Sequence, residues 1–244
     1  MTWIYGINPI QSMIEDSAGQ IKEVWHVRTR KPNPGRERVV MLAEGKGIRV
    51  RLVDEKQLLS VVDEGVHQGV AARIEEFQYA DAEGLAARTG PSLIFVIDGA
   101  EDPRNLGAVL RSACAFGACG VVIPKHHSAS VTPATIKASA GAASRLPVAR
   151  VTNIATYLEV LKKAGFWVYG AAAGEGTRVG DLVFDDRTAI VVGSEHRGLR
   201  TLVRERCDFV VSIPTQGVES LNLSVAAAIL GWEWARGRAG HKIP

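Results

Sequence analysis

Residues 93–124 read LIFVIDGAEDPRNLGAVLRSACAFGACGVVIP, and this stretch decides the fold. Two continuous apolar runs, LIFVID at 93–98 and CGVVIP at 119–124, are typical of parallel strands that are buried on both faces. Between them, Asp102 can cap a helix and Pro103 suits its first position. The stretch therefore predicts a strand, a helix over 105–117 and a second strand, the repeating unit of an α/β sheet.

The same alternation continues to the end of the chain. Further strands are predicted at 166–172, 188–193 and 209–214. Further helices are predicted at about 133–141, 153–164, 199–206 and 222–238. Successive strand–helix units favour an open α/β sheet, in which ligands bind beyond the carboxyl ends of the strands.

The region before this sheet predicts a smaller α/β domain over residues 1–76. Its predicted elements are a helix from about Pro9, strands at 21–27, 48–54 and 67–77, and a helix at 55–62. A Gly- and Ala-rich polar stretch, FQYADAEGLAARTGPS, follows and ends near Pro91. We therefore expect a linker over 77–91 and a larger domain over 92–244.

Composition excludes several classes of protein. Of the 244 residues, 46% are hydrophobic and 23% are charged, which is ordinary for a globular protein. No apolar run approaches the roughly 20 residues of a membrane span, and the N-terminus does not resemble a secretory signal. The three cysteines form no zinc-type pair, and no cluster of metal-binding residues has ligand spacing. We expect a cytoplasmic protein with reduced thiols, without a metal and without membrane association.

Positive charge is concentrated in one short segment. The net charge is +3, yet residues 28–38, RTRKPNPGRER, hold five basic residues against one glutamate. Such a cluster suits a polyanion, which makes RNA contact by Arg28, Arg30, Lys31, Arg36 and Arg38 a hypothesis. The alternative is a solvated loop stiffened by prolines.

Polar residues follow two of the buried strands. Asn105 and Arg111 lie six positions apart on the helix after the first strand, and Arg111 stands among alanines, where it needs an anionic or carbonyl partner. Pairing with a local acid such as Glu101 is the structural alternative. After the strand at 188–193, Gly193 precedes Glu195, which could instead serve only as an acid at a helix N-terminus.

The stretch IPTQGVESLNLSVAAAIL, at 213–230, joins a strand to a helix through a polar loop. Ser220 and Asn222 flank the start of that helix, where small side chains leave backbone N–H groups open to a ligand. Ser220 lies in no GxSxG motif, which argues against a serine hydrolase. The glycines at 174, 176 and 180 do not have dinucleotide-binding spacing, and we interpret them as a flexible surface loop.

Three motifs in this order, DPRNLGAVLRSACAFG, VVGSEHRGL and IPTQGVESLNLSVAAAIL, resemble those of the SpoU (TrmH-type) RNA ribose 2′-O-methyltransferases of the SPOUT class. KASAGAASRLPVARVTN also resembles this family. IYGINPIQSMIE and VHQGVAARI resemble its N-terminal RNA-binding domain, which is similar to the ribosomal L30e fold. The resemblance covers nearly the whole chain. It implies a parallel sheet with a C-terminal trefoil knot, an activity on 23S rRNA, and a homodimer.

The resemblance also implies residue roles. S-adenosylmethionine would be bound by Gly193, Ile213 and Leu221, largely through backbone groups. The polar residues that match the methyl-transfer centre are Asn105, Arg111, Glu195, Ser220 and Asn222. Three other interpretations stay open: a tRNA-specific enzyme of the same family, an antibiotic-resistance methyltransferase acting on rRNA, and an RNA-binding protein without catalysis.

Overall fold

A computed structural model describes residues 2–28, 33–62, 67–195 and 197–238. The chain divides into two compact units, Met1–Gln78 and Tyr79–Pro244. Among the helices in the described ranges, none is long and apolar enough to cross a bilayer.

The first unit is built on a four-stranded sheet. Its strands are β1 (Thr2–Tyr5), β2 (Ile21–Val27), β3 (Arg49–Val53) and β4 (Val70–Ile74). They lie in the order β1–β4–β2–β3, with β4 antiparallel to both neighbours and β3 parallel to β2. This mixed sheet agrees with the small α/β domain expected from the sequence.

Three helices accompany this sheet: α1 (Ile7–Ser17), α2 (Pro34–Gly45) and α3 (Glu55–Leu59). Ile10 and Ile14 lie one helical turn apart on α1 and are fully buried in a cluster that includes Val24 and Ala72. Burial of this face holds α1 on the sheet, because apolar area removed from water is the main stabilising contribution.

The interpretation of residues 28–38 as a loop was wrong for its second half. Asn33 caps α2 by accepting a hydrogen bond from the backbone N–H of Arg36 at 3.2 Å, and Pro34 occupies the first turn. Arg36 is only 7% exposed, so it is not available to grip RNA as the sequence suggested. Arg30 and Lys31 lie outside the described residues.

The second unit is built on a seven-stranded sheet in which all neighbouring strands are parallel. Its strands are β5 (Ser92–Asp98), β6 (Gly120–Pro124), β7 (Val148–Val151), β8 (Trp167–Ala171), β9 (Thr177–Arg178), β10 (Arg187–Gly193) and β11 (Phe209–Ser212). Every residue of β5 is buried, which confirms that its continuous apolar run marks a central strand. The sequence did not predict β7 or β9.

The helices of this unit are α4 (Ala82–Ala86), α5 (Pro103–Ala115), α6 (Pro133–Ala138), α7 (Ile154–Lys163), α8 (Thr201–Arg204) and α9 (Leu223–Arg238). The predicted cap of α5 is confirmed, since the Asp102 carboxylate accepts a hydrogen bond from the Arg104 N–H at 2.7 Å. The predicted helix at 199–206 is reduced to the single turn of α8.

The strand order creates a crevice near the middle of the sheet. The order is β7–β6–β5–β10–β8–β11–β9, so β10 fills a place between β5 and β8, and β11 fills one between β8 and β9. Gly193 at the end of β10 lies opposite Asp98 at the end of β5. Chain connections diverge to the two sides of this pair, which is where parallel sheets bind ligands.

The stretch expected to be a linker over 77–91 is mostly part of the second unit. The backbone N–H of Ala80 donates to the carbonyl of Val148 at 2.8 Å, and Ala80 forms an isolated parallel bridge with Ala149. Leu85 and Ala86 of α4 are buried in the core of the second unit. Their burial explains why this Ala- and Leu-containing stretch is an ordered layer instead of a free connection.

Candidate active site

A cavity of about 400 Å³ lies at the carboxyl ends of β8, β10 and β11. Its walls come from three loops, which follow these strands and include residues 171–175, 192–199 and 211–223. The size is within the range of roughly 300–1,000 Å³ that suits a small organic ligand. The sheet therefore places a ligand-sized cavity where parallel sheets bind ligands.

Gly193 allows the second loop to fold tightly over the end of β10. A Cβ atom at position 193 would lie 2.0 Å from the carbonyl carbon of Gly198 and 2.3 Å from the nitrogen of Leu199. Ser194 and Gly198 exchange two backbone hydrogen bonds, of 3.1 and 2.9 Å. Gly198 has φ of +64°, a conformation that glycine adopts at low cost. The cavity wall is therefore formed by backbone groups that a side chain at 193 would displace.

The far end of this loop is anchored by a buried acid that the sequence analysis did not single out. The Asp98 side chain is fully buried and accepts hydrogen bonds from the Arg200 backbone N–H at 2.9 Å and from Arg200 Nε at 2.7 Å. A buried carboxylate needs such partners, and these two fix both the backbone and the side chain of Arg200. Asp98 therefore positions the loop that carries Glu195.

The third loop offers unpaired backbone donors. Among the described residues, no protein group accepts a hydrogen bond from the backbone N–H groups of residues 215–221. Gly217 has φ of +76°, and Thr215 Oγ1 donates to the carbonyl of Val218 at 3.1 Å. Backbone N–H groups are strong donors that need a partner, so this loop is suited to a polar ligand. The free donors predicted at this junction are present.

Three of the predicted catalytic side chains form one hydrogen-bonded cluster. Asn105 Nδ2 and Asn222 Nδ2 both donate to Glu195 Oε1, the latter at 2.6 Å. Asn222 Nδ2 also lies 3.2 Å from Asn105 Oδ1. Glu195 and Asn222 follow Asn105 by 90 and 117 positions, so the three side chains come from separate segments of the chain. Glu195 is therefore held by two amides at the edge of the cavity, and it does not begin a helix.

Asn222 also determines where α9 begins. Its Oδ1 accepts hydrogen bonds from the Ser224 backbone N–H at 2.9 Å and from Ser224 Oγ at 2.6 Å, and its carbonyl accepts from the Ala226 N–H at 3.0 Å. This is the geometry of an N-cap residue. The side chain therefore uses its carbonyl to cap the helix and its amide to anchor Glu195.

The remaining predicted residues fall into two groups. Gly193, Ile213, Leu221 and Ser220 line the cavity. Arg111 does not line it; the side chain is exposed on α5 and has no ion pair or hydrogen bond with other described residues. The alternative pairing of Arg111 with Glu101 is therefore wrong. Roles for all eight residues stay predictions.

The glycine-rich loop after β8 is exposed over residues 173–178, as the sequence indicated, and it also borders the cavity. Ala171, Ala172, Ala173 and Glu175 line the cavity, and Glu175 forms an ion pair with Arg204 of α8. A Cβ at Gly176 would lie 2.1 Å from the carbonyl oxygen of Val210, so the glycine permits the close approach to β11. The sequence signal was a strand that ends in small residues.

Two cysteines of the second unit are poor nucleophiles. Burial raises the pKa of the Cys207 thiol to about 12, and burial also raises the pKa of Cys119. Both thiols remain protonated at neutral pH, and the thiolate is the reactive form. Within the described part of the chain, no group of three or more acids, histidines or cysteines could hold a metal ion. The expectation of a metal-free site stays a prediction.

Two family patterns match most of the chain. Residues 92–232 match the SpoU rRNA Methylase family. Residues 3–80 match the family described as RNA 2′-O ribose methyltransferase substrate binding.

Curated relatives match over nearly the whole length. The chain is 42% identical over 243 residues to the 23S rRNA (guanosine-2′-O-)-methyltransferase RlmB of Xanthomonas axonopodis pv. citri, covering 98% of this chain and 97% of that protein. It is 43% identical over 242 residues to the protein of the same name from Xylella fastidiosa, covering 97% and 96%.

Solved structures share the fold. The SpoU methyltransferase AviRb from Streptomyces viridochromogenes, in complex with AdoMet, has a TM-score of 0.67 at 26% identity over 97% of this chain and 90% of that one. An AdoMet-bound rRNA methyltransferase from Sinorhizobium meliloti has a TM-score of 0.66 at 22% identity, over 98% and 87%, which indicates the fold alone.

Proposed function

We propose a function for this chain from one premise: it belongs to the SpoU rRNA Methylase family. We infer that it transfers a methyl group from S-adenosylmethionine to a ribose 2′-hydroxyl of 23S rRNA, at a guanosine. The relatives named for that reaction support the substrate. The observation that carries the proposal is the cluster in which Asn105 and Asn222 hold Glu195 at the edge of the cavity.

The cavity fits S-adenosylmethionine. The cofactor has a positively charged sulfur, a carboxylate, hydroxyl groups and a base. Unpaired backbone N–H groups at 215–221 can donate to its acceptors. At Gly193 the cavity is lined by backbone alone, because a Cβ there would collide with Gly198 and Leu199. Three carboxylates on the cavity wall, from Glu175, Glu195 and Glu219, complement its cationic and hydroxyl groups. Gly193, Ile213 and Leu221 would hold it.

The chemistry would be one displacement, in which the ribose 2′-oxygen bonds to the methyl carbon as the sulfur–methyl bond breaks, and the hydroxyl proton passes to solvent through the carboxylate that accepts its hydrogen bond. The protein positions the hydroxyl for this step. Glu195 uses Oε1 to bind two amides, whereas Oε2 has no hydrogen-bond partner in the described ranges. Oε2 therefore accepts the hydrogen bond of the 2′-hydroxyl, and Ser220, at the cavity wall, orients the sugar.

Arg111 has an electrostatic role in this proposal. A guanidinium remains protonated in proteins and is not a base. Its exposed position and lack of a described partner leave its donors free for RNA. It binds the phosphate or sugar oxygen beside the reacting hydroxyl and stabilises the negative charge that develops there.

Two measurements test the function. Calorimetry with purified protein should detect S-adenosylmethionine binding, and labelled methyl groups should pass to 23S rRNA. Mapping of ribose methylation in RNA from cells with and without the gene identifies the nucleotide. Absence of cofactor uptake, with or without RNA, contradicts the proposal. Loss of a methyl group from tRNA instead of rRNA would favour the tRNA-specific alternative.

Replacement of Asn222 by Asp separates its two roles. The aspartate still caps α9, so the melting temperature should not change. It cannot donate to Glu195, however, and it places a second carboxylate against Oε1. We expect kcat to fall by about tenfold to 100-fold, because a hydrogen bond to a charged group contributes about 1.5–3 kcal/mol. Steady-state methyl transfer and thermal melting measure the two effects.

The matched comparison is Asn222→Ser. Serine also caps helices and introduces no charge. It should retain the melting temperature and lose less activity than the aspartate variant. Equal activity of both variants and the unchanged protein would contradict the role of Asn222 as the anchor of Glu195.

Homodimer formation is proposed through α9. Val225 and Trp232 lie seven positions apart, on the same helix face, and are 45% and 52% exposed. The Trp232 ring lies 6.1 Å from that of Phe116, edge to face. Light scattering should detect a dimer that Trp232→Ser weakens. Trp167→Ser removes a comparably exposed indole from β8 and should leave the dimer intact. A monomeric parent protein, or equal dimers in both variants, contradicts the proposal.

Three further features are proposed with the function. The trefoil knot is supported by the late strands β10 and β11, which fill places between earlier strands. The boundary between Gln78 and Tyr79 separates an RNA-binding domain from a catalytic domain. Action on rRNA is consistent with a cytoplasmic location.

A further inference from the structure

The sheet of the first unit has one face that carries arginines and aromatic residues. Residues that pair directly across neighbouring strands project from the same face. Two such rows cross β1, β4, β2 and β3: Trp3, Arg73, Glu23 and Arg49 form one, and Tyr5, Ala71, Trp25 and Arg51 form the next. Arginines outnumber the single acid three to one in these rows.

The aromatic side chains form a half-buried pair with a cation above it. The rings of Trp3 and Trp25 have centroids 4.5 Å apart at an angle of 59°. The guanidinium of Arg51 lies 5.3 Å from the centroid of the Trp25 ring. Trp25 Nε1 is buried and has no hydrogen-bond partner in the described part of the chain. A guanidinium over an indole gives a flat, positively charged surface.

A buried acid pairs with one of the arginines and lies near a second. The Glu23 side chain is 5% exposed, with Oε1 at 3.0 Å from Arg73 Nε and Oε2 at 3.9 Å from Arg51. The side chains of Arg51 and Arg73 are 46% and 35% exposed, so much of each remains in solvent. Arg49, opposite Glu23, is exposed and has no described ion pair. The face therefore carries excess positive charge, and the side chains of Arg49 and Arg51 remain exposed to solvent.

Packing within the first unit explains which residues occur at only one end of this face. Beyond the two rows, Val27 and Val53 bury their side chains against Leu58 of α3, and the aromatic residues border that cluster. The three arginines lie outside this apolar cluster and are at least partly in solvent, so packing of the cluster does not account for them. The charged end is thus complementary to a polyanion with flat, stackable groups.

We propose that this face binds unpaired nucleotides of the RNA substrate, with a base stacked against the Trp25–Arg51 pair and phosphates held by Arg49 and Arg51. Single-stranded RNA is recognised by stacking on aromatic and guanidinium planes and by basic residues that follow the backbone. The inference deepens the proposed function, because it assigns the surface that grips the RNA outside the methyl-transfer site.

The test compares two double variants of the full chain. Arg49→Gln with Arg51→Gln removes the exposed cations of this face. Lys22→Gln with Lys46→Gln removes two exposed charges elsewhere in the same unit. The probe is a single-stranded oligoribonucleotide that contains 4-thiouridine. The arginine variant should bind it about tenfold more weakly. The slope of the logarithm of the binding constant against the logarithm of the salt concentration should become less steep by about 1.4. The lysine variant should match the parent protein.

Photocrosslinking locates the contact. Irradiation of the parent complex should attach the probe to peptides that contain β2 or β3. Crosslinks only elsewhere, equal affinities for both variants, or equally tight binding of a duplex of the same sequence would overturn the proposal. Calorimetry of S-adenosylmethionine on the same samples distinguishes the two proposals: cofactor uptake without these RNA effects refutes this surface alone, whereas absent uptake refutes the proposed function.

Discussion

Replacement of Arg111 by alanine should lower the rate of methyl transfer by about 10²–10³-fold, the usual effect of removing one preorganised donor from a developing negative charge. Affinity for S-adenosylmethionine should not change, because Arg111 does not line the cavity. Stability should not change either, because the exposed side chain has no ion pair or hydrogen bond with other described residues. Single-turnover transfer from labelled cofactor and calorimetry measure the two quantities.

Arg104 provides the matched control. It lies on the same helix, its side chain is exposed, and its described hydrogen bond uses only the backbone N–H. Arg104→Ala removes the same charge from α5 and should transfer methyl groups at close to the parent rate. Arg111→Lys retains the charge without the planar fork and should recover only part of the activity. Near-normal turnover of Arg111→Ala, or an equal loss in both alanine variants, would refute the assigned role.

Local sequence patterns were sufficient for five strands of the seven-stranded sheet, and the family resemblance indicated most of the site. The run at 93–98 is apolar throughout because β5 is buried on both faces, so its burial could be predicted without knowing its neighbours. Asn105, Glu195 and Asn222 each follow a buried strand, and strand ends in a parallel sheet meet at one edge. Their hydrogen-bonded cluster is the consequence of that rule.

Contacts between distant segments were not predictable in this way. Asp98 and Arg200 lie 102 positions apart, and neither stands in a pattern that distinguishes a loop anchor from an ordinary surface pair. The strand β9 has two residues, too few to show any periodicity. The role of Gly176 depends on the carbonyl of Val210, which only the folded sheet brings near.

Replacement of Gly193 by alanine should disrupt the cofactor cavity. The added Cβ would lie 2.0 Å from the Gly198 carbonyl carbon and 2.2 Å from its oxygen, and backbone atoms cannot rotate away as a side chain can. Relief requires the loop to shift and to break the two hydrogen bonds between Ser194 and Gly198. At about 1 kcal/mol for each bond, affinity for S-adenosylmethionine should fall about 30-fold. Calorimetric titration measures this change.

Gly180→Ala is the control that distinguishes the loss of close backbone packing over Gly193 from a general cost of replacing a glycine. A Cβ at position 180 has no atom within 4 Å and φ there is not positive, so cofactor affinity should equal that of the parent protein. The strain at 193 falls at the last residue of β10, and residues 188–191 remain paired with both β5 and β8. The Gly193→Ala variant should therefore retain cooperative thermal unfolding while binding cofactor weakly. If the Gly193→Ala variant binds S-adenosylmethionine as tightly as the parent protein does, the close backbone packing over Gly193 does not shape the cofactor site.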